Sequence, residues 1–244
     1  MPGDGLDEDS SMSRSRYRWD RPGDVHSQAR SAPYRYVARE LENVISRFAV
    51  PAVTPGSRVL DYGCAARPYR ALFGPGIEYV GADLEGNSLA DVPLNEDGSV
   101  PLPDAQFDLI LSTQVLEHVA DPELYVSECH RLLKPGGTLV ITTHGIMYYH
   151  PDPVDYWRWT SAGLGRILEA AGLRSVEIRG IMGLAPAAVQ LFQHATTLKV
   201  PERLRRPYIA MSQALVEFLD RSYSEESRVA NALVLAARAQ RPGG

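Results

Sequence analysis

Arg58-Val59-Leu60-Asp61-Tyr62-Gly63-Cys64-Ala65-Ala66-Arg67-Pro68 decides how this chain folds. Val59 and Leu60 are the apolar middle of a buried strand. Gly63 and the small residues behind it let backbone approach a ligand closely. Pro68 suits the first turn of a helix, where no backbone donor is needed. The run predicts a strand, a tight turn and a helix start. Two features speak against a phosphate ligand at that turn. The G-x-G-x-x-G spacing is absent, and Asp61 puts a carboxylate where it would repel a pyrophosphate. A cationic ligand fits better.

Residues 78–83 read as the next strand, and its closing Asp83 stands 20 residues after Gly63. That spacing suits a carboxylate accepting hydrogen bonds from ribose hydroxyls. Residues 88–92 read as a short third strand. Asp91 there can accept from an adenine amino group, with Glu96 and Asp97 as rivals because residues 93–99 look inserted. Residues 106–112 form a buried strand, residues 113–119 a short helix, and Asp121-Pro122 a cap with a first-turn proline. The helix that follows runs to about residue 134, where Pro135-Gly136-Gly137 stops it; residues 138–143 are the fifth strand. Strands alternating with helices predict a mostly parallel sheet. Ligands of such sheets sit outside the carboxyl ends of the strands, which gathers Asp61, Gly63, Asp83, Ser112 and His144 on one rim.

Val59-Leu60-Asp61-Tyr62-Gly63-Cys64 resembles the first motif of the class I S-adenosylmethionine-dependent methyltransferases, usually V-L-D-x-G-C-G, with Ala65 in place of the last glycine. Phe107-Asp108-Leu109-Ile110, Val115-Leu116-Glu117-His118-Val119 and Leu133-Lys134-Pro135-Gly136-Gly137 are similar to the same family. The resemblance runs through residues 56–145. It implies an α/β, Rossmann-like, doubly wound sheet of seven mostly parallel strands. It also implies S-adenosyl-L-methionine as cofactor, which carries an ammonium and a sulfonium but no phosphate. On this reading Asp61, Gly63, Cys64, Ala65, Asp83, Leu84, Asp91, Ser112 and Gln114 bind the cofactor, Ser112 and its neighbours through backbone groups. The family's histidine at the position of His118 is more often structural than catalytic.

Methyl transfer from a sulfonium is an in-line displacement with an activated donor, so the protein chiefly supplies alignment. A poor nucleophile such as a sugar hydroxyl also wants a base within hydrogen-bond reach. His144 follows a core strand and precedes Gly145, just where the sheet opens, and is the candidate catalytic base. Its bland counterpart is a histidine satisfied by loop backbone. Asp152 or Asp155 can orient it, as in other His–carboxylate pairs; Asp155 is the chosen catalytic partner. Tyr148, Tyr149, His150, Asp152, Trp157 and Arg158 are candidate acceptor-binding residues. Aromatic faces mixed with polar groups suit a sugar. Asp155-Tyr156-Trp157-Arg158-Trp159-Thr160 is similar to a run in glycoside- and polysaccharide-modifying O-methyltransferases; the plainer reading is an approach to a helix capped by Thr160. A divalent metal stays open, since His144, His150, Asp152 and Asp155 have no diagnostic spacing.

The 244 residues are 44% hydrophobic, enough for one α/β domain over residues 25–244. A net charge of −5 gives neither a nucleic-acid footprint nor a basic membrane face. No apolar run approaches the roughly 20 residues of a membrane span. The start is acidic and polar, unlike a signal peptide, and Cys64 and Cys129 form no disulfide or metal pattern. The expected compartment is the cytoplasm. Residues 1–24 read as a flexible arm, or as a lid, because Tyr17 and Trp19 alternate with arginines. Residues 32–48 show helical spacing. A helix over 161–171, a strand over 174–181 and a last strand over 232–236 complete the core, which spans 56–182 and 227–240. Residues 183–226 are a helical insert that covers the acceptor pocket or forms a homodimer contact. The expected activity is O-methyl transfer to a hydroxyl of a sugar, oligosaccharide or glycosylated small molecule. The alternatives are a lipid, quinone or amine acceptor, or a non-catalytic binding subunit.

Overall fold

The computed structural model describes residues 33–151 and 154–244; the arm expected at 1–24 and Asp152 lie outside them. Helix α1 (Arg35–Ala49) buries Val37, Leu41, Ile45 and Phe48, whose spacing puts them on one face. Strands β1 (Arg58–Tyr62) and β2 (Glu78–Asp83) follow and pair in parallel. Strand β3 is only Val92–Pro93, shorter than the sequence suggests. Strand β4 (Phe107–Thr113) takes the other side of β1. The helix expected over 113–119 is a single 3-10 turn, Leu116–His118.

Helix α2 (Pro122–Leu132) opens on Asp121, whose carboxylate accepts from the Leu124 N–H at 3.0 Å. It passes straight into strand β5 (Leu133–His144). Pro135-Gly136-Gly137 therefore does not separate helix from strand. It bulges out of β5 between the pairs Phe107–Leu133 and Leu109–Thr138. Arg241 fills that place. Its backbone pairs with Gly136 and Gly137, and its guanidinium donates to the carbonyls of His130, Arg131 and Leu133 at the end of α2.

Helix α3 (Ser161–Ala170) is capped by Thr160, which accepts from the Gly163 N–H at 3.0 Å. Strand β6 (Arg174–Ile181) leads into the insert, helices α4 (Leu184–Thr196), α5 (Glu202–Asp220) and α6 (Glu225–Ala230). Strand β7 (Val234–Gln240) closes the chain, later than expected. The sheet order is β3-β2-β1-β4-β5-β7-β6, and β7 runs antiparallel to both neighbours. Strand residues alternate between two cores. Leu60, Ile110, Leu139 and Ile141 pack with α2 and α3 residues such as Val126 and Leu164. Val59, Leu109, Leu111 and Val140 pack with Leu41 and Ile45 of α1, Ala187 of α4 and Val216 of α5. Both faces are covered, as a doubly wound sheet requires.

A buried glutamine cluster fastens the insert to the start of α1. Gln190, Gln193 and Gln213 each donate to the Pro33 carbonyl, at 3.0, 2.9 and 2.9 Å. Gln213 also accepts from the Tyr36 N–H at 3.0 Å. Sequence patterning does not foresee this, because glutamine is usually exposed. Gln213→Leu keeps the bulk but strands the Tyr36 N–H and a share of the Pro33 carbonyl. The expected loss is about 2 kcal/mol in urea denaturation; a loss within error would show that the cluster is idle.

Candidate active site

β1 lies between β2 and β4, where consecutive connections leave in opposite directions along the sheet. Such a crossover opens a crevice at the strand ends. Asp61 is buried there. Its Oδ2 accepts from the Tyr79 hydroxyl at 2.6 Å, and its Oδ1 has no partner among the described residues. Burial pushes the carboxyl up to about 7, the Asp83 charge adds to that, and the Tyr79 hydrogen bond opposes it. A buried carboxylate oxygen with nothing to accept suits a cationic donor, which would restore its charge. Gly63 turns the chain at φ 81°, where an added Cβ would lie 2.4 Å from Val115 Cγ2.

Asp83 shapes the turn. It accepts from the Ala65 N–H at 2.7 Å, the Leu84 N–H at 2.7 Å and Asn87 Nδ2 at 2.9 Å. Asn87 also donates to the Ala65 carbonyl at 3.0 Å; its part in the loop is not visible in the sequence. The Cys64 thiol is pushed up to about 12, first by burial and then by the nearby carboxylates, so it stays protonated. Asp91 pairs with Arg67 at 2.7 Å and accepts from the Gly81 N–H at 2.8 Å. Its rival Asp97 accepts from Ser99 within its own turn. The Ser112 hydroxyl meets the Tyr125 hydroxyl at 2.9 Å inside the α2 core. Only its backbone can therefore face the rim. Gln114 leaves β4 with positive φ and donates to Thr142 Oγ1 at 3.0 Å.

His144 ends β5 and is 3% exposed. Its Nε2 stands 3.3 Å from Glu117 Oε1 without hydrogen-bond geometry, so that oxygen and the buried His144 Nδ1 both lack a hydrogen-bond partner among the described residues. Glu117 is 0% exposed. Its Oε2 accepts from the Thr143 hydroxyl at 2.8 Å, and its main-chain carbonyl accepts from the Tyr156 N–H at 2.8 Å. Burial pushes Glu117 up to about 7. Burial, then the charges of His150 and Arg158, drive His144 down to about 3. The ring is therefore neutral near pH 7. An ionised Glu117 would favour the proton on Nε2 and leave Nδ1 as an acceptor; a protonated Glu117 would favour the reverse. The rings of His118 and His150 flank it at centroid distances of 6.4 and 5.5 Å.

Asp155 acts on His144 through its charge, which favours the protonated imidazole, while its hydrogen bonds go elsewhere. Arg158 clamps Asp155 through two contacts of 2.6 Å, and the His150 N–H donates to it at 2.7 Å. That guanidinium holds the carboxyl down to about 2. The carboxylate in contact with His144 is Glu117, supplied by the turn after β4. Arg158 also donates to the carbonyls of Met147, Tyr148 and Trp157. Its planar fork staples the loop, which occupies the donors expected to meet an acceptor. Trp157 donates to the Val119 carbonyl at 2.8 Å while part of its ring stays exposed, as do Tyr149 and Tyr156. Tyr148 stacks on His194 of α4 at 3.7 Å and 12°, and accepts from the Tyr34 hydroxyl at 3.0 Å. Tyr34 and His194 are further residues that sequence reasoning did not reach, because they come from opposite ends of the chain. Among the described residues no group of three or more His, Cys, Asp or Glu side chains could hold a metal ion.

A buried carboxylate with an unpartnered oxygen at the crossover of such a sheet is compatible with the cationic S-adenosylmethionine. The chain belongs to the methyltransferase-domain family, which matches residues 34–178. It is 29% identical over 201 residues to a ubiquinone biosynthesis O-methyltransferase of Dinoroseobacter shibae, covering 67% of this chain and 80% of that one. It is 32% identical over 145 residues to a protein of the same name from Roseobacter denitrificans, covering 51% of this chain and 57% of that one. Among solved structures, the [4+2]-cyclase SpnF superposes with a TM-score of 0.56 at 20% identity, over 89% of this chain and 86% of that one. A methyltransferase from Archaeoglobus fulgidus gives 0.53 at 19%, over 89% and 97%. At these identities the two structures establish the fold. The described residues include no helix long and apolar enough to cross a membrane.

Proposed function

We propose that this chain is an O-methyltransferase in which His144 Nδ1 takes the acceptor's proton and Glu117 holds the ring. The observation that carries the reading is the unpartnered Nδ1 on an imidazole whose other nitrogen meets a buried carboxylate. When bound, S-adenosylmethionine supplies a methyl group already activated on its sulfonium. Asp61 would face the cation, Asp83 would keep the turn at residues 63–65 in shape, and Leu84, Asp91, Ser112 and Gln114 would line the remainder. The protein's own work is to align the acceptor and to remove its proton.

The acceptor we favour is an acidic hydroxyl on an aromatic, quinone-type ring. Burial makes His144 a weak base, and the charge of Asp155 offsets this only in part. A weak base can deprotonate a phenol, whose pKa is about 10, far more readily than an alkyl hydroxyl. The names of the relatives from Dinoroseobacter and Roseobacter support the same choice. A sugar hydroxyl is the second reading, favoured by the exposed rings of Tyr149, Tyr156 and Trp157 beside polar groups. Incubation with methyl-labelled cofactor and a matched panel of catechols, hydroxyquinols and oligosaccharides decides between them. Label in the phenols alone supports the first reading. Label in the sugars alone overturns it, and no label in either class overturns both in favour of a lipid or amine acceptor or a binding subunit. Asp83→Ala should weaken cofactor binding at least tenfold by calorimetry, because the Ala65 N–H, the Leu84 N–H and Asn87 lose their common acceptor. Unchanged affinity would remove Asp83 from the cofactor's support.

A further inference from the structure

Helix α5 carries apolar side chains on the face turned away from its own core. Leu204, Tyr208, Met211, Leu215 and Phe218 follow one another in steps of four, three, four and three residues; Tyr208 among them is half-buried, its hydroxyl bonded to that of Thr196. That is the a/d spacing of a helix seam made for another helix. The core-facing set is different, with Ile209, Gln213, Val216 and Asp220 buried against α1 and α4. On the outer stripe Leu204 is 49% exposed, Met211 66%, Leu215 45% and Phe218 69%. Residues 207–216 contain no charged side chain, and Ala210 and Ala214, both exposed, flank the stripe with small surfaces. Loss of charge together with Met and aromatic side chains marks the middle of a protein interface rather than a solvated face.

From these features we propose that the outer face of α5 is a homodimer interface, in which the same helix of a second copy packs antiparallel across a two-fold axis near Met211. The stripe reads almost the same in both directions from that residue: Leu204 and Phe218 lie seven positions away on either side, Tyr208 and Leu215 three and four. A surface of that kind complements itself, as an isologous contact demands. Charge agrees. Arg203 and Arg206 sit in the first turns of α5, where the helix's own dipole disfavours cations, and among the described residues neither has an ion-pair partner. An antiparallel copy brings the negative pole of its helix against them; Glu217, already paired with Arg35, Arg39 and Arg221, stays with its own chain. The stripe and its alanines expose on the order of 600 Å² per protomer, and the exposed Phe192 of α4 adds to this; a standard interface buries ~800 Å² per partner. The inference does not rest on the proposed activity.

Sedimentation velocity on the full chain at tens of micromolar tests it. The expected species is about 54 kDa, twice the 26.9 kDa chain. Met211→Glu sets two carboxylates at the axis and should return the mass to that of one chain without loss of helicity. Met211→Cys should cross-link the two copies under mild oxidation, since Cys64 and Cys129 are buried; Ser222→Cys, beyond the stripe, should not. A monomer throughout overturns the proposal. So does a dimer that survives Met211→Glu, or a monomer that floats with phosphatidylglycerol vesicles and stops floating on Met211→Glu.

Discussion

His144→Ala lowers kcat by about 10²–10⁴-fold, the range lost with a positioned general base, while cofactor affinity by calorimetry stays as it was. Glu117→Gln is the companion. Glutamine keeps the shape but cannot ionise, so the Nε2–H tautomer loses its charged partner. The pH profile gives a signature that packing damage would not. The free Nδ1 acceptor needs Glu117 ionised, and burial has raised that carboxyl to about 7. Turnover should therefore rise with pH through about 7 and level off above it. In Glu117→Gln that limb should disappear and kcat should fall, with the acceptor KM changed much less. A His144→Ala enzyme of near-normal turnover would leave the acceptor to ionise unaided.

Gly63→Ala should abolish measurable cofactor binding and destabilise the domain by about 3 kcal/mol, combining a disfavoured backbone with overpacking. The added methyl meets Val115 Cγ2 at 2.4 Å, at a φ of 81° that side chains rarely adopt. Val115 leads into the turn that supplies Glu117, so the displacement spreads from the cofactor's turn toward the proposed base. Adding Val115→Ala makes room for the methyl. It should return about half of the lost stability in chemical denaturation and leave the backbone part of the cost. Full recovery would mean that φ contributes nothing; no recovery would mean that the clash is relieved elsewhere.

The sheet was legible because its signals are local. Val59-Leu60 and Leu109-Ile110-Leu111 are continuous apolar runs, as parallel strands buried on both faces must be. Asp121-Pro122 and Thr160 each cap the helix that they announce. Pro135-Gly136-Gly137 misled because a bulge inside a strand and a stop before one use the same residues. The site was half legible for a related reason. Asp61, Gly63 and His144 sit at strand ends that the topology gathers. Asp155 looked like the partner of His144 because it is near in sequence, but Arg158, three residues on, claims its carboxylate first. Glu117 lay within a run already identified, yet nothing in Leu116-Glu117-His118 shows that the acid turns inward and the histidine outward. Whether residues 183–226 close the acceptor pocket remains a proposal, now with named parts in the stack of Tyr148 on His194 and the hydroxyl of Tyr34.

The glutamines that grip Pro33 bear on how the enzyme is best handled. Three amide side chains from the far end of the chain converge on one carbonyl, and the very next residue touches the acceptor loop. Shortening the polypeptide up to that proline leaves the clasp closed. Cutting four residues deeper opens it and takes the acceptor from the Gln190 and Gln193 amides, while Gln213 keeps the two glutamine carbonyls. A bulky affinity handle or fluorescent fusion joined close ahead of Pro33 would crowd Tyr34 and strain its hydrogen bond to Tyr148.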